Sequence, residues 1–328
     1  VSGKATPSLA WEAPHVAGAA KKEKLRIGII SAFFQNHTMG RLNRGLVANL
    51  DRDRYEVVLL RLEGSGGDEI GNAMDASADR VVTFPLDLEG ARQRITAEEL
   101  DALFYTDIGM DPLTYYLSFA RLAPVQFTTW GHPDTTGVPN MDHFLSCELI
   151  EPAGAEDHYS EQLVQLKSPP VYMLPPEMPA DEPFDRARYG VPESGNLYVC
   201  PQTLFKLHPD FDSTLMKILE KDPDGHLLLV TGNSKHWNEL IRNRLRKQSP
   251  LASRVSFVKT MPQKDFIGLL RLADVLLDPP SFSGGNTSFE AFLAGTPIVT
   301  WPGDFMRGRV TLGFCQMMEM PELVVDSE

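Results

Sequence analysis

Short apolar runs rich in β-branched residues recur along the chain and alternate with amphipathic segments. The first run is Leu25–Ser31 (LRIGIIS), which is bounded by charge and is typical of a buried strand. Tyr55–Glu63 (YEVVLLRLE) predicts a second strand, and Asp68–Arg80 predicts the helix that follows it. Further strands are predicted at VVTF, LDALFYTDI and VQFTTW, with helical patterns between them. Strands spaced by helices predict right-handed crossovers and a parallel sheet covered on both faces.

This alternation breaks at residues 167–196, where proline is too dense for a helix or a central strand. It then restarts with the predicted strands LYVCP, HLLLVTG, RVSFVK, VLLDP and PIVTW, again separated by helical patterns. We therefore predict a linker over residues 1–23, in which Trp11 can dock on a neighbouring surface. Two doubly wound Rossmann-like domains are predicted over residues 24–180 and 181–328. Ligands of such domains bind where the carboxyl ends of strands face a cleft.

Composition narrows the class of protein. Apolar residues make up 42% of the 328 residues and charged residues 23%, as in soluble globular proteins, and no apolar run is long enough to span a membrane. Three widely spaced cysteines indicate a reducing compartment, and they predict neither a disulfide framework nor a zinc site. A net charge of -13 argues against a nucleic-acid binder, although a local pocket of donors can still hold a diphosphate. We expect a cytoplasmic protein with no nucleic-acid or membrane partner.

The most specific segment is Pro279–Gly303 (PPSFSGGNTSFEAFLAGTPIVTWPG), which predicts a strand end, a loop, a helix and another strand. Gly284 and Gly285 allow a close approach of the backbone to a ligand and a positive φ. The start of the helix presents donors for a diphosphate, namely Asn286, Thr287 and Ser288. Glu290 follows one turn later, where a carboxylate can accept from ribose hydroxyls. The alternative is a capped helix after a tight turn.

A second segment, Tyr198–Pro209 (YVCPQTLFKLHP), places polar residues after another predicted strand. Gln202 and Thr203 lie at its ligand-facing end. Lys206 can neutralise the charge that develops on a leaving nucleoside diphosphate. Taken alone, this lysine also fits a solvated surface position.

Two loops of the first half also follow predicted strands. Ser31–Gly40 (SAFFQNHTMG) carries His37, a contact to sugar or phosphate or a half-exposed loop histidine. Trp130–Gly137 (WGHPDTTG) is either a plain turn or an acceptor contact. The candidate acceptor-side residues of this loop are His132, Asp134, Thr135 and Thr136.

A third segment, Phe305–Arg309 (FMRGR), offers Arg307 and Arg309 to a phosphate, or begins a solvated helix. The chain has no P-loop, no G-x-G-x-x-G after the first strand, and no G-x-S-x-G. Asp51-Arg-Asp53 and Asp222-Pro-Asp224 have Asp-x-Asp spacing but lie in polar turns. We predict no metal and no cofactor apart from a co-substrate.

Four blocks together resemble glycosyltransferase family 41, which includes protein O-GlcNAc transferases and SPINDLY-like bacterial relatives. The blocks are SAFFQNHTMGRL, LAPVQFTTWGHPDTTGVPNMDHFLS, CPQTLFKLHPDFD and LADVLLDPPSFSGGNTSFEAFLAGTPIVTWPGDFMRGR. The resemblance implies the two-domain GT-B fold, inversion at the anomeric carbon and catalysis without metal. It also implies tetratricopeptide repeats before this region and further helices after it.

The resemblance assigns roles by position. Lys206 matches the family lysine that stabilises the departing diphosphate, and His37 matches a histidine beside the sugar phosphate. The general base is not identified, and His37 is its nearest candidate or else a residue that holds the phosphate. Glu290 takes the place of a ribose-binding acid. The remaining donor contacts implied are Gln202, Thr203, Asn286, Thr287 and Ser288. Gly284 and Gly285, predicted above from the loop itself, complete the donor site.

The chain departs from the animal O-GlcNAc transferase pattern at several positions. Phe33 replaces an Asp, which excludes an Asp base there, and Glu290 is one carbon longer than the usual Asp. Gln263 and Phe266 stand where Lys and His meet the nucleobase, and an aromatic ring at 266 can still stack on a base. UDP-GlcNAc is the expected donor, with UDP-glucose and GDP-fucose open.

We therefore expect transfer of a sugar to Ser or Thr of a protein. A transferase acting on a non-protein acceptor and a catalytically silent nucleotide-sugar-binding scaffold are the alternatives. A nucleotide-sugar epimerase fits less well, because its acidic catalytic residues are not evident.

Overall fold

The computed structural model describes residues 9–18, 22–176, 178, 185–232 and 235–327. The chain divides into two compact units, Val1–Leu174 and Pro175–Glu328. We call them the first and the second domain. The predicted boundary between residues 180 and 181 lies outside the described residues.

A seven-stranded parallel sheet forms the first domain, in the order β3-β2-β1-β4-β5-β6-β7. Its strands are β1 (Leu25–Ser31), β2 (Tyr55–Leu62), β3 (Arg80–Phe84), β4 (Ala102–Tyr105), β5 (Val125–Thr129), β6 (His143–Cys147) and β7 (Gln162–Leu166). Helices α1 (Thr38–Asn49), α2 (Glu69–Ser77), α3 (Leu88–Thr96) and α4 (Pro112–Ser118) connect the first five strands. Asp68, Asp87 and Asp111 cap the last three of these helices by accepting a backbone N–H.

The second domain repeats the architecture with a five-stranded parallel sheet in the order β10-β9-β8-β11-β12. Its strands are β8 (Leu197–Cys200), β9 (His226–Thr231), β10 (Val255–Lys259), β11 (Val275–Asp278) and β12 (Ile298–Thr300). The helices are α5 (Phe211–Lys221), α6 (Lys235–Gln248), α7 (Gln263–Leu272), α8 (Asn286–Ala294) and α9 (Val310–Met317). No helix in the described part of the chain is long and apolar enough to cross a membrane.

Both faces of each sheet are buried, which explains the unbroken apolar runs. Ile29 of β1 packs in one apolar cluster with Val57 and Leu59, while Ile30 packs in another with Val58 and Leu60. In β9, alternate leucines likewise enter two different clusters. A strand buried on both faces carries apolar residues at every position, as parallel sheets covered by helices require.

The predicted α/β class with two doubly wound domains is confirmed by these sheets. Strands β6 and β7 were not predicted. The run HFLSC in β6 is short and contains polar residues. The run QLVQL in β7 contains two glutamines and is exposed at both ends, because β7 lies at an edge of the sheet. Edge strands bury less apolar surface, so their sequences carry a weaker signal.

Residues 9–18, part of the segment predicted to be a linker, lie against the first domain. Leu9 and Ala13 are buried, and Trp11 packs against the core cluster that contains Ile30. The N–H of Arg121 donates to the carbonyl of Trp11 at 2.7 Å. Residues 1–8 and 19–21 of that segment lie outside the described residues.

We expect a side chain at Gly195, in the turn that enters β8, to be strongly destabilising. Gly195 has φ +88°, and a Cβ there would overlap the carbonyl oxygen of Asp224. Gly190, with φ +67° and nothing within 4 Å of a built Cβ, is the matched control. Gly190→Ala should cost about 1–2 kcal/mol of unfolding free energy for the left-handed backbone alone, and Gly195→Ala about 1–3 kcal/mol more. Urea denaturation of the two variants measures this difference, and equal losses would contradict the clash.

Candidate functional site

The predicted donor residues of the second domain lie at the point where its strand order reverses. Strand β8 pairs with β11, and the chain leaves these two strands through the loops that carry Lys206 and Gly284. The loops meet, because the Gln202 side-chain amide donates to Thr287 Oγ1 at 3.2 Å. Crevices at such reversal points are the usual ligand sites of open parallel sheets.

Helix α8 begins at this crevice without a side-chain cap. Gly285 precedes its first residue, Asn286, and no side-chain hydrogen bond caps the helix. The first backbone N–H groups are therefore available to an anion, together with the positive end of the helix dipole. A Cβ at Gly284 would overlap Ser288 Oγ and lie 2.8 Å from Thr287 Oγ1, so the close approach there requires glycine.

The expected positive φ at the two glycines is wrong. Gly285 has φ -108°, and Gly284 is not among the residues with positive φ. The N–H of Gly284 instead donates to Asp278 at 2.7 Å, which holds the backbone in place by a hydrogen bond.

Asp278, the last residue of β11, organises this loop. Its carboxylate accepts from Ser283 Oγ at 2.7 Å, from Thr300 Oγ1 at 2.8 Å and from the N–H of Gly284. Ser283 Oγ in turn accepts from the N–H of Thr311 at 2.9 Å. Asp278 is only 5% exposed, and burial raises its pKa to about 6, although the hydrogen bonds lower it. One carboxylate thus joins the ends of β11 and β12 to the start of α9.

Lys206 is half-buried beside the same loop. Its Nζ lies 3.9 Å from the centre of the Phe282 ring and 6.0 Å from that of Phe205. Among the described residues no carboxylate forms a salt bridge with it. Burial lowers the pKa of Lys206 to about 8. The ammonium group is therefore held against an aromatic face with its charge uncompensated, which suits it to bind an anion.

Glu290 lies one turn into α8 and is 5% exposed. The side-chain amide of Gln263, at the start of α7, donates a hydrogen bond to its Oε1. Two residues that the sequence assigned to the nucleobase and to the ribose are thus in contact. Phe266 packs against the apolar cluster of the second domain that contains Val199.

His37 caps α1 in the first domain. Its Nδ1 accepts from the N–H of Met39 at 3.3 Å, and its ring stacks on Phe33 with centroids 4.7 Å apart. Burial first, and Arg41 second, lower the pKa of His37, so the imidazole is neutral at pH 7. The cap assigns the proton to Nε2, which makes this nitrogen a donor.

The loop that carries His37 is clamped at several points. Ser31 Oγ accepts from the N–H of Phe33 and donates to Asp107 at 2.7 Å. The Arg61 guanidinium donates to the carbonyl of Phe34 at 2.9 Å. Asp107 is 1% exposed, and burial raises its pKa to about 7.

The candidate acceptor-side residues of the first domain form a tight loop. The hydroxyls of Thr135 and Thr136 both donate to Glu161, as does the N–H of Thr136 at 2.8 Å. The ring of His132 packs against Gly109, and a Cβ built on this glycine would lie 3.3 Å from the ring. The N–H of Asp134 donates to the carbonyl of His132 at 2.9 Å.

Of the two arginines of the FMRGR segment, Arg307 lies within the short 3-10 helix Met306–Gly308, and Arg309 follows that helix directly before α9. Arg307 stacks on Phe305, with its guanidinium carbon 4.7 Å from the ring centre. Arg309 donates to the carbonyl of Gly303 at 3.1 Å. The backbone of Arg307 also contacts the loop after β11, since its carbonyl accepts from the N–H of Ser283 at 2.7 Å.

Sequence reasoning missed the residues that hold these loops, namely Asp278, Phe282, Thr311, Asp107 and Glu161. Two of them left a signal. Asp278 closes the apolar run VLLD, and Asp107 follows the run ALFY, so each places a carboxyl at the end of a buried strand. The partners of these carboxyls lie too far along the chain to be read from spacing.

GT-B transferases consist of two doubly wound parallel domains. The second domain carries hydrogen-bond donors for an anion where its strand order reverses. The chain belongs to glycosyl transferase family 41, whose model matches residues 10–172 and 178–328.

Known proteins of this kind resemble the chain over most of its length. It is 26% identical over 315 residues to a probable UDP-N-acetylglucosamine--peptide N-acetylglucosaminyltransferase SEC of Arabidopsis thaliana, covering 92% of this chain and 32% of the plant protein. It is 26% identical to a UDP-glucose:protein N-beta-glucosyltransferase of Actinobacillus pleuropneumoniae, covering 68% of this chain and 36% of that protein. The chain thus spans about a third of the length of these curated relatives.

A solved structure agrees with the fold. A variant of the O-GlcNAc transferase of Thermobaculum terrenum superposes with a TM-score of 0.80 at 26% identity, covering 93% of this chain and 58% of that one. The GT-B-like class expected from the sequence is confirmed by this similarity.

We expect Asp278 to contribute a pH dependence of stability. Its folded pKa lies above its ordinary value, so the folded state binds more protons than the unfolded state and loses stability as pH rises from about 4 to 6. Asp278→Asn lacks this titration. As pH rises through this range, the unfolding free energy of the wild type should therefore fall by about 1–3 kcal/mol relative to that of Asp278→Asn.

Chemical denaturation at pH 4.5, 5.5 and 7 measures this difference. Ser283→Ala is the control, because it removes a hydrogen bond to the carboxylate and keeps the titrating group. A constant difference between wild type and Asp278→Asn at all three pH values would refute the prediction.

Proposed function

We propose that this protein transfers a sugar, with inversion, from a nucleoside diphosphate to a hydroxyl group of a protein. The observation that carries the proposal is the pairing of Lys206 with the uncapped start of α8 at one strand reversal. Membership of glycosyl transferase family 41 supports the reaction class.

The proposed reaction is a single in-line displacement at the anomeric carbon. The acceptor hydroxyl forms the new bond, its proton leaves to a base, and the bond to the diphosphate oxygen breaks. Negative charge then builds on the diphosphate, where Lys206 and the N–H groups of Asn286, Thr287 and Ser288 stabilise it. Because these groups supply positive charge at the leaving group, the scheme needs no metal ion.

Glu290 is proposed to accept from the ribose hydroxyls. A buried carboxylate needs partners, and Gln263 supplies one by donating to Oε1. This contact fixes the orientation of the carboxylate. A nucleotide that brings two hydroxyl donors can therefore bind without a large rearrangement.

UDP-GlcNAc is the donor that we propose first, with Ser or Thr as acceptor. The plant relative and the Thermobaculum enzyme, by their names, support GlcNAc. The name of the Actinobacillus relative supports UDP-glucose as the second candidate. GDP-fucose remains to be tested, because Gln263 and Phe266 replace the base-contacting residues of the animal pattern.

The first domain is proposed to carry the acceptor side. His37 is then a hydrogen-bond donor through Nε2 rather than the base, because its Nδ1 is engaged by the N–H of Met39. The loop with His132, Asp134, Thr135 and Thr136 is proposed to line the acceptor path. Three buried free cysteines fit the proposed cytoplasmic setting, and upstream tetratricopeptide repeats are proposed as the acceptor-recruiting partner.

Nucleotide titration tests the donor site. UDP, GDP, UDP-GlcNAc, UDP-glucose and GDP-fucose are titrated calorimetrically into wild type and Glu290→Gln, and the best nucleotide is compared with its 2′-deoxy form. We expect a loss of about 10-fold or more in Glu290→Gln, since a hydrogen bond to a charged group contributes about 1.5–3 kcal/mol. The wild type should bind the 2′-deoxy form more weakly than the parent nucleotide, whereas Glu290→Gln should bind the two forms with equal affinity.

Failure of every nucleotide to bind the wild type would contradict the proposal. Binding without transfer or donor hydrolysis would instead favour the catalytically silent scaffold.

Turnover of the Lys206→Ala variant tests the leaving-group role. Removal of one preorganised donor typically costs about 100- to 1000-fold in rate, so we expect a loss of that size. Sugar transfer to a cell-extract protein pool and donor hydrolysis are both measured with the radiolabelled donor. Thermal unfolding checks that the fold is intact, and Lys217→Ala on α5 serves as the matched lysine control. Wild-type turnover in Lys206→Ala would exclude the mechanism.

A further inference from the structure

The side chain of Lys206 is in contact with an aromatic ring. The ammonium lies over the face of Phe282 at 3.9 Å, within the range of a favourable cation–π interaction. Phe205 also approaches it, but at 6.0 Å and with 63% of its surface exposed. Phe282 is therefore the main neighbour that can fix the position of the charge.

The titratable side chains on the neighbouring segments have other partners. Asp278 accepts from Ser283 and Gly284, and Glu290 accepts from Gln263. The imidazole of His208 lies 3.3 Å from Asp210, and the guanidinium of Arg307 lies over Phe305. Burial is the cause of the lowered pKa of Lys206. An aromatic face is thus the partner that offsets part of this desolvation.

We infer that Phe282 is a positioning residue that holds the Lys206 ammonium by a cation–π contact and leaves its N–H donors for a diphosphate. A carboxylate in the same place would neutralise the lysine and compete with the anion. A ring face attracts the cation through its quadrupole and accepts no strong hydrogen bond. The inference rests on the proposed function for the identity of the anion.

The position of Phe282 is itself determined by the loop after β11. Its N–H donates to the carbonyl of Pro279 at 3.3 Å, and the next residue, Ser283, is bound to Asp278. The carboxylate of Asp278 therefore helps to position Lys206 indirectly. It binds Ser283, whose neighbour Phe282 contacts the ammonium group. The cation–π contact is a reason for an aromatic residue in a loop that otherwise consists of Pro, Ser and Gly.

The pKa of Lys206 in the ligand-free protein tests the contact directly. It is measured from the pH dependence of the 13Cε resonance in lysine-labelled protein, assigned by its absence in Lys206→Arg. Phe282→Leu keeps an apolar side chain but removes the ring face. It should lower the pKa of Lys206 by about half to one and a half units, because the charged form loses its attraction to the ring.

Two further variants separate this role from a general structural one. Phe282→Tyr retains the ring and should restore the wild-type pKa of Lys206. Phe205→Leu, the matched control at the more distant ring, should leave that pKa near its wild-type value. An unchanged pKa in Phe282→Leu, or a drop in Phe282→Tyr as large as in Phe282→Leu, would overturn the inference.

Binding of UDP links the contact to the proposed function. In calorimetric titrations at pH 8.5, the affinity of Phe282→Leu for UDP should fall about 2- to 30-fold, with recovery in Phe282→Tyr. Equal UDP affinity in wild type and Phe282→Leu would overturn the positioning role. Absence of UDP binding by the wild type would contradict the proposed function, while the ligand-free pKa comparison would still decide the contact.

Discussion

The buried carboxylate of Asp278 is the constraint on which the candidate site depends. A carboxylate inside a protein must be surrounded by donors, and Asp278 takes them from Ser283, Gly284 and Thr300. Satisfying this one group fixes the path of the loop after β11. That path sets where α8 begins, leaves its first N–H groups uncapped, and places the Phe282 ring under the ammonium of Lys206. The positive end of the site is therefore built around a buried negative charge.

The first domain shows a related arrangement at the corresponding reversal of strand order. Asp107 follows β4, which pairs with β1 as β11 pairs with β8. It accepts from Ser31 at the end of β1, and that serine accepts the N–H of Phe33. In the second domain Ser283 likewise donates to a buried aspartate and accepts a backbone N–H, that of Thr311 in α9. In both domains the loops that follow the two central strands lead toward opposite edges of the sheet. A buried acid with a serine hydroxyl then holds a loop that would otherwise leave polar groups unpaired.

The local charge of the site contrasts with the acidity of the whole chain, whose net charge is -13. In the proposed function, a diphosphate is attracted by a few donors in a partly desolvated crevice rather than by the overall field. Lys206, kept uncompensated beside an aromatic ring, and the start of α8 provide this local charge. The side-chain amide of Gln263 donates to the buried carboxylate of Glu290 and so orients this acid.

The sequence by itself determined the α/β class, most strands and the loops that carry polar residues, because burial on both faces of a parallel sheet produces continuous apolar runs between amphipathic helices. It also indicated Lys206, Glu290 and the start of α8 by their position after strands. Only the tertiary structure decided which loops meet, since strand order brings together Gln202 and Thr287, 85 residues apart. The expected positive φ at Gly284 and Gly285 failed for the same reason. The backbone there follows a hydrogen bond to Asp278, and local spacing carries no information about such partners.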